Sequence, residues 1–491
     1  MITLDKVLEK LNEEGLLERY SKNIKFEKLE LNHLSYNSKE ILEKTLFICK
    51  GKMFKSEYLK GAIVNGTVAY LSETYYEEVP ENVAYIIVKD IRKAMTIVSN
   101  LFYGYAWKDI SVVGITGTKG KTTTTYYLKN IVTKYLGKRC GIISTIDTYS
   151  GITDEVSHLT TPESPDLHRL FYETKQSDIP ILIMEVTSQA YKTGRVDGIN
   201  FDIGVFLNVS EDHISDIEHP DFEDYLNCKL ELMKNSKTAI INKNSDFFNV
   251  IKEAAKNAEK IITYGIDVEA DYSVNDMQKD GKYTMFTVKG PNGYKKTYRT
   301  SVVGKFNVEN ATAAIAISRE LGIGDESIAY GIENTSVQGR MNVFEKNGVT
   351  VIVDFAHNRL SFEKLYEAIK LDYPNSRIIS LAGGVGGKAF NRRKDFGEIV
   401  GRYSDYIYLT TDDPQFEDVT EICLDMASYI ENCGYEIIIN REEAVKKAIE
   451  SAKPGDVVVL LGKGEEEYQK TRGELVPYIS DLKLAEIWSK T

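Results

Sequence analysis

The chain has 491 residues and a net charge of −12, from 61 Lys and Arg against 73 Asp and Glu. That balance excludes a surface that neutralises many nucleic-acid phosphates or lies on anionic lipid, since either partner is repelled at long range; a small anionic substrate held by local basic groups remains open. With 42% hydrophobic and 27% charged residues, 35 Gly and 10 Pro, the composition is that of a protein that folds in water, neither disordered nor fibrous.

At roughly 150 residues per domain this length predicts about three domains. Residues 1–107 open with a helical pattern (Val7, Leu8, Leu11, Leu16, Leu17) and continue with short apolar runs at 45–49 and 83–88, which predicts a small mixed α/β domain. Residues 108–338 alternate continuous apolar runs (112–115, 181–184, 205–207, 238–241) with helical segments. Strands buried on both faces of a doubly wound parallel sheet have this pattern. Residues 339–491 repeat it (351–353, 377–381, 406–409, 436–439, 456–461), predicting a second parallel α/β domain. No run approaches the roughly 20 apolar residues that span a bilayer. The opening Met1-Ile2-Thr3-Leu4-Asp5-Lys6 lacks the basic-then-apolar order of a secretion signal, so a cytoplasmic location is expected. The five cysteines, Cys49, Cys140, Cys228, Cys423 and Cys433, have no zinc-ligand spacing and are expected to be buried, reduced thiols.

One motif carries chemistry directly. The apolar run 112–115 leads into Gly117-Thr118-Lys119-Gly120-Lys121-Thr122, and a helical pattern follows from Tyr126. In such a loop the glycines let backbone N–H groups close round phosphate oxygens, the helix start adds its positive end, Lys121 reaches the terminal phosphates and the Thr122 hydroxyl is placed for Mg²⁺. The strict signature has glycine at position 115, where this chain has Ile115, so the loop is a variant; alone it implies only a nucleoside triphosphate. Glu185 ends the apolar run 181–184, the place from which a strand's C-terminal end presents a Mg²⁺-binding carboxylate to the loop.

The loop with its following Thr123-Thr124 resembles that of the Mur ligases, cytoplasmic enzymes that add amino acids one at a time to the peptidoglycan precursor. Further matches follow in that family's order: Thr160-Thr161-Pro162, Glu185-Val186-Thr187-Ser188, Asn208-Val209-Ser210-Glu211-Asp212-His213, Lys229, Gly304-Lys305-Phe306-Asn307-Val308-Glu309-Asn310, Gly339-Arg340-Met341, Asp354-Phe355-Ala356-His357, Asp412-Asp413-Pro414 and Gly462-Lys463-Gly464. Asn37-Ser38-Lys39 and the run 45–51 resemble the uridine-binding module of the branch that adds the third residue.

The resemblance implies a central phosphate-loop ATPase domain between a small N-terminal domain for the UDP-linked substrate and a C-terminal Rossmann-like domain for the amino acid. It implies an ATP- and Mg²⁺-dependent amide ligase acting on a UDP-muramyl dipeptide and a free amino acid, as a monomer. By the same resemblance Lys121, Glu185, His213 and Lys229 are catalytic, with Thr122, Glu185, His213 and Lys229 holding metal and Lys229 carbamylated. Gly117, Thr118, Lys119, Gly120, Lys121, Thr122, Thr123, Asn307, Asn310, Arg340, Asp354 and His357 would bind ATP; taken alone, the asparagines read equally as helix caps. Ser38, Thr160, Thr161, Ser188 and Arg195 would contact the UDP-substrate, and Asp412, Asp413, Gln415, Gly462 and Glu466 the amino acid.

Where an Asp-Asn-Pro-Arg motif accompanies diaminopimelate in the family, this chain has Asp412-Asp413-Pro414-Gln415. Gln415 cannot pair with a distal carboxylate and Asp413 adds negative charge, so L-lysine is the expected amino acid, with ornithine or another amine-bearing residue behind it. Gln189, Asn358 and Glu465 stand where histidine, threonine and histidine are usual in the family. The competing readings are a related ligase of the folylpolyglutamate synthetase kind and a non-catalytic nucleotide-binding regulator.

Overall fold

The computed structural model describes residues 2–51, 54–215, 218–281, 283–302, 304–337, 339, 341–387, 390–431 and 433–490. Three principal sheets follow one another along the chain. The first has five strands in the order Leu17–Tyr20, Ala84–Val88, Thr67–Ser72, Thr45–Ile48, His33–Ser35, parallel except at the first pair. Period-2 alternation divides its residues between two cores. Leu46, Ile48, Leu71 and Ile86 meet the helices Leu4–Glu13 and Ile91–Phe102, while Phe47, Tyr70 and Ile87 meet Ser56–Val64. Leu16 and Leu17, expected to continue the opening helix, do not. The chain turns at Gly15 (φ 68°), and Leu17 starts a strand antiparallel to Val88.

The central sheet has eleven strands. Its parallel part runs Gly141–Ile143, Ile181–Glu185, Ser111–Thr116, Phe201–Phe206, Ser236–Asn242, Lys260–Ile266, Tyr272–Asp280, with antiparallel strands added at both ends. Helices Lys121–Leu136, Lys305–Glu320 and Asp325–Glu333 cover one face, and Ser164–Gln176, Phe222–Lys234 and Phe248–Ala254 the other. Strands Tyr283–Lys289 and Lys295–Thr300 were not expected from apolar runs. They are half-exposed, with Lys295, Thr297 and Arg299 facing water while Tyr298 and Thr300 face the core.

The third sheet has six strands: Asn342–Lys346, Val349–Asp354, Val457–Leu461, Ile378–Ala382, Tyr406–Leu409, Gly434–Ile437, the first antiparallel and the rest parallel. The run expected at 436–439 therefore begins and ends two residues early. This domain rests against the central one: Phe306, at the start of Lys305–Glu320, packs on the third domain's core, and Lys279 pairs with Asp372 at 2.7 Å.

No helix among the described residues is long and apolar enough to cross a membrane. All five cysteines are free thiols, but only Cys49, Cys140 and Cys423 are buried; Cys228, midway along Phe222–Lys234, and Cys433, just before Gly434–Ile437, were expected buried and are half-exposed.

His168, on Ser164–Gln176, is 1% exposed, and neither ring nitrogen has a hydrogen-bond partner among the described residues. Burial holds its imidazole down to about 3 from the ordinary 6.5. The folded state therefore keeps it neutral while the unfolded chain takes up a proton below 6.5, so stability present above that pH is lost as pH falls towards 3. The slope is about 1.4 kcal/mol per pH unit. His168→Leu should flatten the fall of the thermal midpoint between pH 6.5 and about 4, which differential scanning calorimetry across pH measures.

Candidate active site

The phosphate loop leaves the C-terminal end of Ser111–Thr116, whose neighbours Ile181–Glu185 and Phe201–Phe206 run parallel on either side. The loop thus sits in a crevice between the two strand ends that follow it, the usual ligand position in open α/β sheets. Asn208, just beyond Phe201–Phe206, clamps it. Its Oδ1 accepts from Lys119 N at 2.9 Å, its Nδ2 donates to the Lys119 carbonyl at 3.0 Å, and its own carbonyl accepts from Thr118 N at 3.0 Å. Thr118 Oγ1 accepts from Ser210 N at 3.0 Å. Gly117 (φ 157°) and Gly120 (φ 88°) turn the loop, and a Cβ on Gly120 would collide with the Asn310 side chain. Thr122 and Thr123 are buried in the first turn of Lys121–Leu136. The loop is therefore overlaid by Asn310, whose Nδ2 donates to Asn307 Oδ1 at 3.1 Å, so neither asparagine serves as a helix cap.

Lys121 and Lys229 both donate to the Gly117 carbonyl, at 2.8 and 3.0 Å. Lys229 comes from Phe222–Lys234 and is 2% exposed, not the solvated helix lysine its setting would otherwise suggest. Burial, and then the charge of Lys121, hold its ammonium well below the ordinary lysine range. Its Nζ lies 4.6 Å from the Tyr225 ring centroid, the His213 ring stacks on the same tyrosine at 6.1 Å, and the Tyr225 hydroxyl meets Thr118 Oγ1 at 3.0 Å. Tyr225, which no motif singled out, thus ties three site residues together. His213 adopts a left-handed backbone (φ 60°), and its Nδ1 meets Glu218 at 3.1 Å.

Glu185 is fully buried beside the loop, in register with Ile115. The donors on its carboxylate are the neutral Thr145 amide and hydroxyl at 2.9 and 3.0 Å, and among the described residues no cation is within ion-pair reach. Thr160 meets Thr145 through its hydroxyl at 3.2 Å, and the Thr161 hydroxyl donates to the Glu185 carbonyl at 2.9 Å. Arg195 donates to the Thr161 carbonyl at 3.0 Å and pairs with Glu163 at 3.1 Å; Lys50 of the first domain pairs with the same carboxylate at 3.0 Å. Ser188 is buried on His219 Nε2 at 3.0 Å, with Asp224 on the other ring nitrogen at 2.6 Å. Ser38 lies half-buried in the first domain, next to Tyr36, whose hydroxyl reaches Asp166 at 2.5 Å. Sequence reasoning also left Lys50, His219 and Asn208 without a role, although Lys50 and Asn208 lay inside quoted motifs.

From the third domain, His357 Nδ1 donates to the Phe355 carbonyl at 2.7 Å and its Nε2 accepts from Lys119 Nζ at 3.3 Å. Burial, then the neighbouring charges of Lys119 and Arg392, hold His357 well below its ordinary value, so this imidazole is neutral. The Asp354 carboxylate accepts from Met341 N at 2.8 Å and Ala356 N at 2.7 Å, which pins the strand end below His357. Arg340 lies outside the described residues.

The expected amino-acid residues form one cluster, with an unexpected member at its centre. Lys463 is fully buried, and its ammonium meets Glu466 at 2.6 Å, Asp413 at 2.9 Å and Asp412 at 3.9 Å. Burial pulls Lys463 down, but Asp412, Glu466 and Asp413 together raise it, so it is charged. Burial pushes Asp412 up to about 6. The charge argument from sequence is thereby corrected: Asp413 is not a free negative charge but bonds Lys463 and the Lys470 amide (3.0 Å). What stays net negative is the set of three carboxylates around one ammonium. Gly462 (φ 101°) is required because a Cβ there would lie 2.7 Å from Asp412 Oδ2. Gln415 (φ 55°) hydrogen-bonds through its backbone to the hairpin at Lys470 and Arg472, at 3.0 and 2.6 Å. A small cavity beside Asp412 and Gly462 is also lined by Arg393, a further residue that sequence reasoning passed over.

Residues 115–318 match the Mur ligase middle domain and residues 339–464 the glutamate ligase domain of Mur ligases. The UDP-N-acetylmuramoyl-L-alanyl-D-glutamate–L-lysine ligase of Enterococcus faecalis is 41% identical over 93% of this chain and 91% of its own. That of Streptococcus agalactiae is 40% identical over the whole of both chains, and the UDP-N-acetylmuramyl-tripeptide synthetase of Ligilactobacillus salivarius is 38% identical over 94% of each. Among solved structures, MurF from Acinetobacter baumannii superposes with a TM-score of 0.68 at 19% identity, covering 96% of both chains. A UDP-N-acetylmuramoyl-L-alanyl-D-glutamate–2,6-diaminopimelate ligase superposes with a TM-score of 0.65 at 23% identity, covering 99% of this chain and 98% of its own. These structures share the three-domain α/β fold described above.

Proposed function

The chain belongs to the Mur ligase family, and on that premise we propose that it joins L-lysine to UDP-N-acetylmuramoyl-L-alanyl-D-glutamate, using ATP, in the synthesis of the peptidoglycan precursor. The observation that carries the choice of lysine is the buried cluster of Asp412, Asp413 and Glu466 around the single ammonium of Lys463, whose excess negative charge suits an incoming amine. Relatives named for the same lysine transfer, at 40–41% identity over nearly the whole chain, support it.

Amide formation from a carboxylate is uphill, so the glutamyl carboxylate first attacks the terminal phosphorus of ATP. A P–O bond forms, the bond to ADP breaks, and an acyl phosphate results. The lysine α-amine then attacks the acyl carbon, loses a proton and expels inorganic phosphate. Such transfers are accelerated by positioning and charge neutralisation. Lys121 and the loop amides bind the phosphates; Asn307 and Asn310 face the nucleotide across Gly120; His357, neutral, and Asp354 close it from the third domain. Ser38, Thr160, Thr161, Ser188 and Arg195 hold the UDP-muramyl dipeptide, and Gln415, Gly462 and Glu466 border the lysine.

The donor set fits Mg²⁺: Glu185 is a buried carboxylate with no fixed counter-ion among the described residues. Thr122 and Glu185 would hold Mg²⁺, and His213 with a carbamylated Lys229 would help hold a second; the metal would supply charge neutralisation on the phosphates. Lys229 suits carbamylation, because only a neutral amine attacks CO₂ and its surroundings favour the neutral form. The N–C bond forms, one proton leaves, and a buried amine becomes an anion. Enzyme stripped of CO₂ should lose most activity and regain it on adding bicarbonate, with a carbamate signal from ¹³C-bicarbonate that is absent in Lys229→Ala. Full activity without CO₂ would remove the carbamate from the mechanism.

The reaction itself is tested by following ADP and product mass with the UDP-muramyl dipeptide and lysine. Phosphate release with a folate and glutamate, but not with these substrates, would replace this reading by the folate-ligase one. We place the enzyme in the cytoplasm as a monomer, which light scattering of the purified protein checks.

A further inference from the structure

Asp212 follows the strand Phe201–Phe206 and lies in the seam between the central and third domains, 2% exposed. Its Oδ1 accepts from Arg392 Nη2 at 2.9 Å and from the His213 amide at 3.0 Å. Its Oδ2 accepts from Asn358 Nδ2 and lies 3.9 Å from Lys119 Nζ and 3.8 Å from His213 Nε2. Arg392 sits on Asn391–Asp395, and Asn358 caps Arg359–Asp372 in a capping box with Ser361. One carboxylate thus joins the phosphate loop to two helix starts of the other domain.

We propose that Asp212 is a positioning residue for the ligation: it holds Lys119 and Arg392 in one arrangement and keeps the third domain closed over the phosphate loop. A buried carboxylate is costly unless paired, and two of its partners come from across the seam, so opening strips it of Arg392 and Asn358 together. Asn358 replaces the threonine usual at this place, and its amide reaches one bond further than a threonine hydroxyl. Asp212 is itself the anion facing Arg392 and Lys119, the second of which is a residue of the phosphate loop. It acts through them and touches no reacting atom.

The proposal rests on the ligase reading for its kinetic readout, while its structural readout stands alone. In nucleotide-free enzyme, Asp212→Asn should increase the radius of gyration measured by small-angle X-ray scattering. It should lower kcat about tenfold or more, with KM for ATP within about threefold and an unchanged thermal midpoint. Arg392→Met should do the same, and the double variant should be no worse than the more affected single one, because the two side chains form one contact. Arg392→Lys should restore part of kcat. If Asp212→Asn does not fold, Arg392→Met, at a partly exposed edge, carries the test. An unchanged scattering profile with kcat within about twofold, or fully additive losses, overturns the latch. Wild-type enzyme inactive on lysine and the UDP-muramyl dipeptide would defeat the ligase reading, and the scattering comparison alone would then decide the latch.

Discussion

Lys121→Ala should abolish lysine-dependent ATP hydrolysis, with kcat falling on the order of 10³-fold. Lys121 is the loop lysine whose Nζ rests on the Gly117 carbonyl at 2.8 Å, held in place by its own loop before any phosphate arrives. Its loss removes a preorganised charge from where the transferred phosphoryl group becomes more anionic, and no neighbour replaces it. Lys229 shares the carbonyl but is held towards neutrality, and Lys119 is turned to His357 across the seam and to Asp212 of its own domain. Phosphate release with saturating acceptor and lysine measures the effect; activity within about tenfold of wild type would remove Lys121 from the chemistry.

In an amino-acid panel, kcat/KM for L-lysine should exceed that for meso-diaminopimelate by about a hundredfold, a difference of about 2.7 kcal/mol. The two differ by a carboxylate at the far end, and the cluster there has three carboxylates around one ammonium. A distal amine gains a partner, whereas a distal carboxylate meets like charge in a poorly hydrated place. Glu466→Gln should weaken lysine, chiefly in KM, by about tenfold, since it removes an acid bonded to Lys463 at 2.6 Å and leaves that ammonium less compensated. Equal rates with both amino acids would refute the charge argument, and ornithine close to lysine would place the selectivity in charge rather than length.

Legibility from sequence varied by element for identifiable reasons. Strands buried on both faces, such as Ile181–Glu185 and Val457–Leu461, announce themselves as apolar runs, and the loop between strand and helix was explicit. Tyr283–Lys289 and Lys295–Thr300 were not, because a half-exposed strand hides its pattern among lysines and threonines. In the site, quoted motifs gather Lys121, Lys229 and Asn310 around Gly117 and Gly120, but the partners of many motif residues were invisible. That Lys463 neutralises part of Asp412 and Asp413 depends on contacts between segments 50 residues apart. Tyr225 and His219 act by shape and hydrogen bonding to others, roles that spacing does not encode.

The helix Lys305–Glu320 presents Phe306 to the third domain's core and Asn310 to Gly120 within its first two turns. Because it is packed into the central core, it cannot follow the third domain if that domain swings away. Swinging therefore unplugs an aromatic ring from its socket and wets it, at about 1 kcal/mol for a partly buried side chain. Phe306 works as a weak spring that favours the shut arrangement roughly fivefold even without ligands. Product escape has to work against that tension, so a smaller side chain at this position would trade a tighter grip on substrate for faster release.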